Sequence, residues 1–306
     1  MKDSQLTNTV VMVRPNHFGF NPQTAKSNVF QHQVLETEAE VQDKALEEFK
    51  EAADLLTKNG IRVLILPSRN DVLTPDSVFP NNWFSHHADG KLIIYPMLAP
   101  NRRAERQIDK LKDLLSGSGI QVLETISLTE DEDKGNFLEG TGSLVLDREN
   151  RIAFAMESPR TSKQEFDKWC GVMGYEGIFF HAYDSEGFPI YHTNVTMSIG
   201  REYAVICLSS VKDPGERKFV EDKLRSLGKE IIELSVEQIY KYCGNTLQVL
   251  SSDGSSKIIM SKTAFEGFNA LQIEKLKKHG EIITLEIPEI ETVGGGSARC
   301  MLAEVF

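Results

Sequence analysis

The sequence is short of three things. It has only four cysteines in 306 residues, Cys170, Cys207, Cys243 and Cys300, and no two of them are closely spaced. That excludes the paired spacing of the usual zinc sites. It has no apolar run near the ~18 residues that a membrane helix needs. The opening MKDSQLTNTVVMVRP holds only a brief apolar stretch, without the core of a signal peptide. Positive charge is also scarce: 34 Lys and Arg face 45 Asp and Glu, for a net charge of −11. Contact with phosphates needs a basic footprint, so nucleic acid is excluded as a partner. Together these shortages predict a cytoplasmic protein with free thiols.

What the sequence does have is a hidden period. Five stretches read as helices with a glycine at or near their ends, at Gly60, Gly119, Gly174, Gly228 and Gly280. Four show apolar residues at i, i+3/i+4 spacing, and each glycine suits a left-handed C-terminal cap. A strand rich in Ile, Val or Phe follows each one: IRVLILP, IQVLETIS, EGIFFHAY, EIIELS and EIITLEIP. Hairpin patterns then recur, turning at Asp89-Gly90, Arg148-Glu149-Asn150, Gly200-Arg201 and Asp253-Gly254. The fifth hairpin is split between CMLAEVF at the end of the chain and TVVMVRP at its start. A ββαβ unit of roughly 55 residues, repeated five times, predicts a ring of units closed by the two terminal strands. The expected architecture is α/β, a five-bladed propeller forming one domain over residues 1–306.

One polar or reactive residue stands just before each hairpin. These are Asn82, Glu139, His192, Asn245 and Cys300, at intervals of 57, 53, 53 and 55 residues. Equivalent positions in a ring face one axial region, so the five side chains should converge. A thiol, an imidazole and a carboxylate in one cleft make a set for nucleophilic catalysis. The thiolate attacks an sp² carbon, and His192 shuttles protons. The carboxylate of Glu139 can bind substrate N–H groups or orient the attacked carbon. Cys170 and Cys207 sit in apolar stretches and read as small buried hydrophobes, and Cys243 reads as structural. Cys300 differs, because three glycines in ETVGGGSAR precede it and let backbone approach a ligand.

These residues resemble the guanidino-group modifying enzymes, the amidinotransferase superfamily of the pentein fold. The resemblance runs along essentially the whole chain. It is carried by PDSVFPNNW, APNRRAER, LEGTGSLVLDR, SPRTS, HTNVTMSIG, CGNTL and GGGSARCM. It is strongest to a branch of citrulline-utilisation hydrolases, and it implies a five-bladed α/β propeller. It also implies Cys300 as nucleophile, His192 as general acid and base, and Glu139 as a substrate-binding carboxylate. Arg102 and Arg160 match positions that clasp an amino acid's α-carboxylate, although Arg102 also reads as a solvated charge at a helix start. Asp76 and Phe79 match a substrate-pocket segment.

The sequence departs from the arginine deiminase pattern at Asn82 and Asn194, where deiminases carry Asp. A carboxylate only accepts hydrogen bonds and suits a guanidinium, which only donates. An amide both donates and accepts, as a neutral ureido group does. The expected activity is therefore hydrolysis of the ureido group of citrulline to ornithine, carbon dioxide and ammonia. The alternative is a guanidine hydrolase or dihydrolase on arginine, dimethylarginine or succinylarginine. Asn245 and the backbone of 294–296 are expected to support charge on oxygen. No metal or organic cofactor is expected, the partner is a small amino acid, and a homo-oligomer is compatible with the sequence. The acidic stretch 126–137 reads as a solvated or mobile loop.

Overall fold

The computed structural model describes residues 4–306. Its strands form five separate three-stranded sheets. Each sheet is an antiparallel hairpin whose second strand is joined in parallel by a third, reached through a helix. The four sheets formed from consecutive strands are Phe84–His86/Lys91–Ile94/Glu124–Ser127, Val145–Asp147/Ile152–Met156/Glu176–Phe180, Met197–Ile199/Tyr203–Ile206/Glu230–Glu233 and Leu247–Leu250/Ser256–Ser261/Glu281–Leu285. The fifth unites the ends of the chain. Thr9–Arg14 pairs antiparallel with Ala303–Val305 and parallel with Arg62–Pro67. The split hairpin of the sequence is thus a real pairing. The middle strand of each sheet is almost wholly buried, which is why these strands read as near-continuous apolar runs.

The helices begin where their caps are written. Thr37 and Glu40 form a capping box at the start of Glu38–Lys58, and Asn269 with Gln272 does the same for Ala270–His279. Ser162 caps Lys163–Met173, and Asp213 caps Pro214–Ser226. Gly60, Gly119, Gly174 and Gly228 take positive φ as expected, whereas Gly280 has φ 169° and is simply extended. Two expected helices are broken. APNRRAER gives a single turn, Pro100–Arg103, ahead of the helix Ile108–Gly117. In the last unit a short helix Lys262–Gly267 stops before Asn269, because Asn269 starts a new helix as its cap.

The acidic stretch is ordered, contrary to the solvated loop expected of it. Thr129–Lys134 forms a 3₁₀ turn in which Asp131 and Glu132 are buried. Asp131 pairs with Lys134 and Lys168, and Glu132 pairs with Arg106 while accepting the Met97 N–H. Composition showed the charge of this segment but not the cations folded onto it. Among the described residues, no helix is long and apolar enough to cross a membrane.

A short turn precedes each hairpin and carries one of the five repeat residues. Pro80–Asn82, Gly140–Ser143, Thr193–Thr196 and Ala298–Met301 are helical, with Glu139 and His192 at the cap positions immediately before the second and third, and Asn245 closes a turn at 240–245. The turn at Gly140 touches those at Pro80 and Thr193, and the turns at Pro80 and Ala298 touch each other. Asn245 completes the circuit. Its Nδ2 donates to the Asn194 carbonyl, and its Oδ1 accepts the Arg299 N–H.

Candidate active site

This circuit brings Cys300, His192, Asn82 and Phe79 around one small cavity, together with Asp76, Arg102, Arg160, Tyr191, Asn28 and Gly294–Gly296. The glycines explain how the walls come so close. A Cβ on Gly142 would stand 2.5 Å from Asn82 Nδ2 and 2.8 Å from the His192 ring, so only glycine leaves room for both side chains. Likewise the Phe79 ring lies on Gly294 and Gly296, where a Cβ would come within 2.8 Å of it. The three glycines before Cys300 thus make room for a protein ring, a role that the sequence reading did not foresee.

Glu139 lies beneath His192. Its Oε2 accepts from His192 Nε2 at 2.9 Å, and its Oε1 accepts the Leu98 N–H at 3.0 Å. Burial favours protonation of Glu139, but Arg160, the His192 hydrogen bond and Arg102 outweigh it and hold the carboxyl down to about 2. An ionised carboxylate fixes Nε2–H as the donor and leaves the lone pair on Nδ1. His192 is itself fully buried. Desolvation, opposed by the Glu139 contact, lowers its pKa to about 4, so the imidazole is neutral at pH 7.

Cys300 is buried, and its Sγ accepts from Asn245 Nδ2 at 3.2 Å and from Asn194 Nδ2 at 3.5 Å. The structure therefore places these two amides differently from the substrate contacts expected of them. Both reach the sulfur from behind, and neither lines the cavity in front of it. Asn194 Oδ1 is buried without a partner, and Asn194 lines a separate cavity with Ser198, Thr246 and Arg299.

Asn82 does face the Cys300 cavity. Its Oδ1 accepts from Arg102 Nη1 at 2.8 Å, while its Nδ2 is buried with no partner. The amide cannot be turned over, because Arg102 offers only donors. Asn81, its neighbour in FPNNWF, points away and donates to Thr141 Oγ1.

Arg102 and Arg160 line the cavity, but neither is an open clasp. Arg102 forms a fork on Glu105, with Nε–Oε1 at 2.9 Å and Nη2–Oε2 at 3.0 Å, and also donates to the Phe79 carbonyl. Arg160 donates to Ser27 Oγ, the Thr24 carbonyl and Glu139, and its guanidinium lies 4.8 Å from the centre of the Tyr191 ring. Burial pushes Glu105 up to about 7 against the pull of Arg102, and burial also raises Asp76. Asp76 Oδ2 accepts from Asn21 and Thr24, whereas Oδ1 is buried and free. Sequence reasoning missed Glu105, although its i+3 spacing from Arg102 was a usable signal. It also missed Tyr191 and the segment Asn21–Gln31, whose residues show no periodicity.

Cys243 is structural in its surroundings. Its Sγ donates to the Ala264 carbonyl, and burial pushes the thiol up to about 12. Among the described residues, no group of three or more His, Cys, Asp or Glu side chains is arranged to hold a metal ion.

A thiol and a neutral imidazole lining one cavity, the imidazole backed by an ionised carboxylate, are a set that can carry out covalent attack on a carbon held there. On this fold they define an enzyme of the amidinotransferase superfamily, with its pentein relatives. Residues 14–306 match the sequence model described as N,N dimethylarginine dimethylhydrolase, eukaryotic, and the chain belongs to that family. The family is one of carbon–nitrogen hydrolases. Among solved structures, the N-terminal domain of ArgZ, an arginine dihydrolase from cyanobacteria, bound to substrate, is 18% identical with a TM-score of 0.70, covering 97% of each chain. A dimethylarginine dimethylaminohydrolase (DDAH) from Pseudomonas aeruginosa, a mutant complexed with citrulline, is 14% identical with a TM-score of 0.68, covering 97% of this chain and 98% of that one. At such identity the likeness is one of fold. A comparison with curated proteins finds no match.

Proposed function

We propose that the protein hydrolyses the ureido group of citrulline, or of a citrulline derivative, with Cys300 as nucleophile, His192 as acid and base, and Glu139 as the group that orients His192. The observation that carries this reading is Asn82. Asn82 lines the cavity, Arg102 holds its oxygen, and its Nδ2 is a buried N–H donor without a partner, beside Gly142 and the His192 ring. A buried donor needs an acceptor, and leaving it unmet costs about 1–3 kcal/mol. A ureido carbonyl supplies one; a guanidinium has none.

The reading implies the following chemistry. Neutral His192 takes the thiol proton, and the Cys300 thiolate attacks the ureido carbon. The proton then passes to the departing amine nitrogen, which leaves as ornithine. A carbamoyl thioester remains. Water, deprotonated by His192, attacks it, releasing carbamate, which breaks down to carbon dioxide and ammonia as the thiol reforms. The two amides behind the sulfur hold Cys300 in line throughout. We also take the five sheets to be blades of one closed ring, and residues 1–306 to be a single catalytic domain. The contacts of the five pre-hairpin turns support this.

Asp76 favours a second reading, a guanidine hydrolase acting on arginine or a substituted arginine. Asp76 lines the same cavity, and its Oδ1 is a buried acceptor without a partner that would suit a donor-only group. The substitution Asn82→Asp separates the two. It removes the donor and adds a carboxylate, so kcat/KM for citrulline should fall about 10- to 100-fold. Unchanged citrulline turnover would remove Asn82 as the selectivity device.

The pH profile tests the base. Protonation of His192 stops it from accepting the thiol proton, so activity is lost as pH falls through its pKa. With that value near 4, the acid limb of kcat/KM should lie near pH 4. A limb at the ordinary imidazole value of about 6.5 would show that burial does not depress His192 in the working enzyme.

A further inference from the structure

A second cavity lies beside the catalytic one and is much larger. The space in front of Cys300 measures about 10 Å³, while its neighbour measures about 320 Å³. The first holds one water at most, and the second is the size of an organic ligand site. The larger cavity is walled by Phe30, Phe188, Tyr191, Ile239 and Tyr240. Phe188 is 60% exposed and Tyr240 39% exposed, an unusual concentration of uncovered aromatic surface at one place.

The two cavities share their walls. Tyr191 lines both. The segment over them contributes to each: Asn28 faces Cys300, while Lys26, Ser27, Val29 and Phe30 face the apolar side. Arg160 spans the partition, holding Glu139 at one end and Ser27 Oγ at the other. An amino acid does not fit in 10 Å³, so the covering segment must give way when substrate enters.

We infer that the apolar cavity is a substrate subsite, receiving an apolar group joined through an amide to the amino-acid end of the ureido substrate. This rests on the reading of the Cys300 site as a hydrolase of ureido amino acids. The favoured substrate is then an extended citrulline, such as an aromatic acyl or aminoacyl derivative, rather than the free amino acid. The apolar walls supply affinity, and the Tyr191 wall shared by the two cavities supplies the direction in which the substrate extends.

The test compares L-citrulline with Nα-benzoyl-L-citrulline and L-citrulline anilide, and runs the matching arginine series beside them. Turnover is followed as ammonia release, and binding is followed by calorimetry on the Cys300→Ala protein. Burying one aromatic ring should raise kcat/KM and affinity by about tenfold to a hundredfold for one of the extended compounds. The two arms show whether the extension runs from the amino or the carboxyl end. Phe188→Ala should reduce that ratio of extended to free substrate. Equal or weaker binding of both extended compounds, or a ratio unmoved by Phe188→Ala, overturns the subsite, as does binding of neither series. The choice between ureide and guanidine is read separately, from which series turns over, so a gain within the arginine series alone would keep the subsite and end the ureide reading.

Discussion

The Cys300→Ala protein should release no measurable ammonia or ornithine from citrulline, a loss of about five to six orders of magnitude in kcat, as for other nucleophile deletions. Every bond change in the proposed reaction passes through this sulfur, and no second thiol can take its place. Cys243 lies two residues before Asn245 but faces the Ala264 carbonyl, and Cys170 and Cys207 are buried elsewhere. The substitution removes one heavy atom from a buried site; it costs Asn194 Nδ2 its sulfur contact but leaves Asn245 on the Asn194 carbonyl and the Arg299 N–H, so the fold should survive. Circular dichroism and substrate binding check that. A Cys300→Ala protein retaining a few per cent of wild-type turnover would exclude covalent catalysis at this position.

Glu139→Gln should lower kcat about 10³- to 10⁴-fold while leaving the protein folded. The carboxylate now accepts His192 Nε2–H and so keeps the Nδ1 lone pair free. A carboxamide in its place can present its NH2 group to Nε2 and stabilise the other tautomer, with the proton on Nδ1. In a Ser-His-Asp triad the corresponding acid-to-amide change costs about 10⁴. If Glu139 served mainly to bind substrate, the loss would appear in KM. If it orients His192, kcat falls and KM changes little. Steady-state kinetics of the variant on citrulline decides between them. The same substitution removes the carboxylate that Arg160 meets at 3.4 Å, so a modest drop in Tm should accompany it.

Much of this site was legible because the chain repeats itself. Equal intervals placed Asn82, Glu139, His192, Asn245 and Cys300 in register, and register in space follows from register in the repeat. The split hairpin was legible for the same reason, since a unit lacking a strand must find one. The direction in which each side chain points was not legible. Asn82 and Asn245 are equivalent in the repeat, yet Arg102 turns the first toward the cavity and the Arg299 N–H turns the second toward the sulfur. Partners of this kind lie 20 and 54 residues away and leave no local trace. The arginines show the same limit. Arg102, one of three arginines in APNRRAER, reads as a free cation until Glu105 is seen forked onto it. The covering segment Asn21–Gln31 has no helix or strand pattern at all. It is held by side chains, Asn21 and Thr24 on Asp76 and Ser27 on Arg160, whose importance only the fold reveals. The broken fifth helix is a local miss, since Asn269 with Gln272 three residues on is a capping box visible in the sequence.

The central claim is that an amide donor at Asn82 selects a neutral ureide over a guanidinium. Its most direct test is a substrate panel with purified wild-type protein, offering citrulline, arginine, dimethylarginine and succinylarginine separately while ammonia, ornithine and citrulline are measured. The account predicts ornithine and ammonia from citrulline at the highest kcat/KM of the four. Turnover of arginine or a substituted arginine, with none from citrulline, would contradict it.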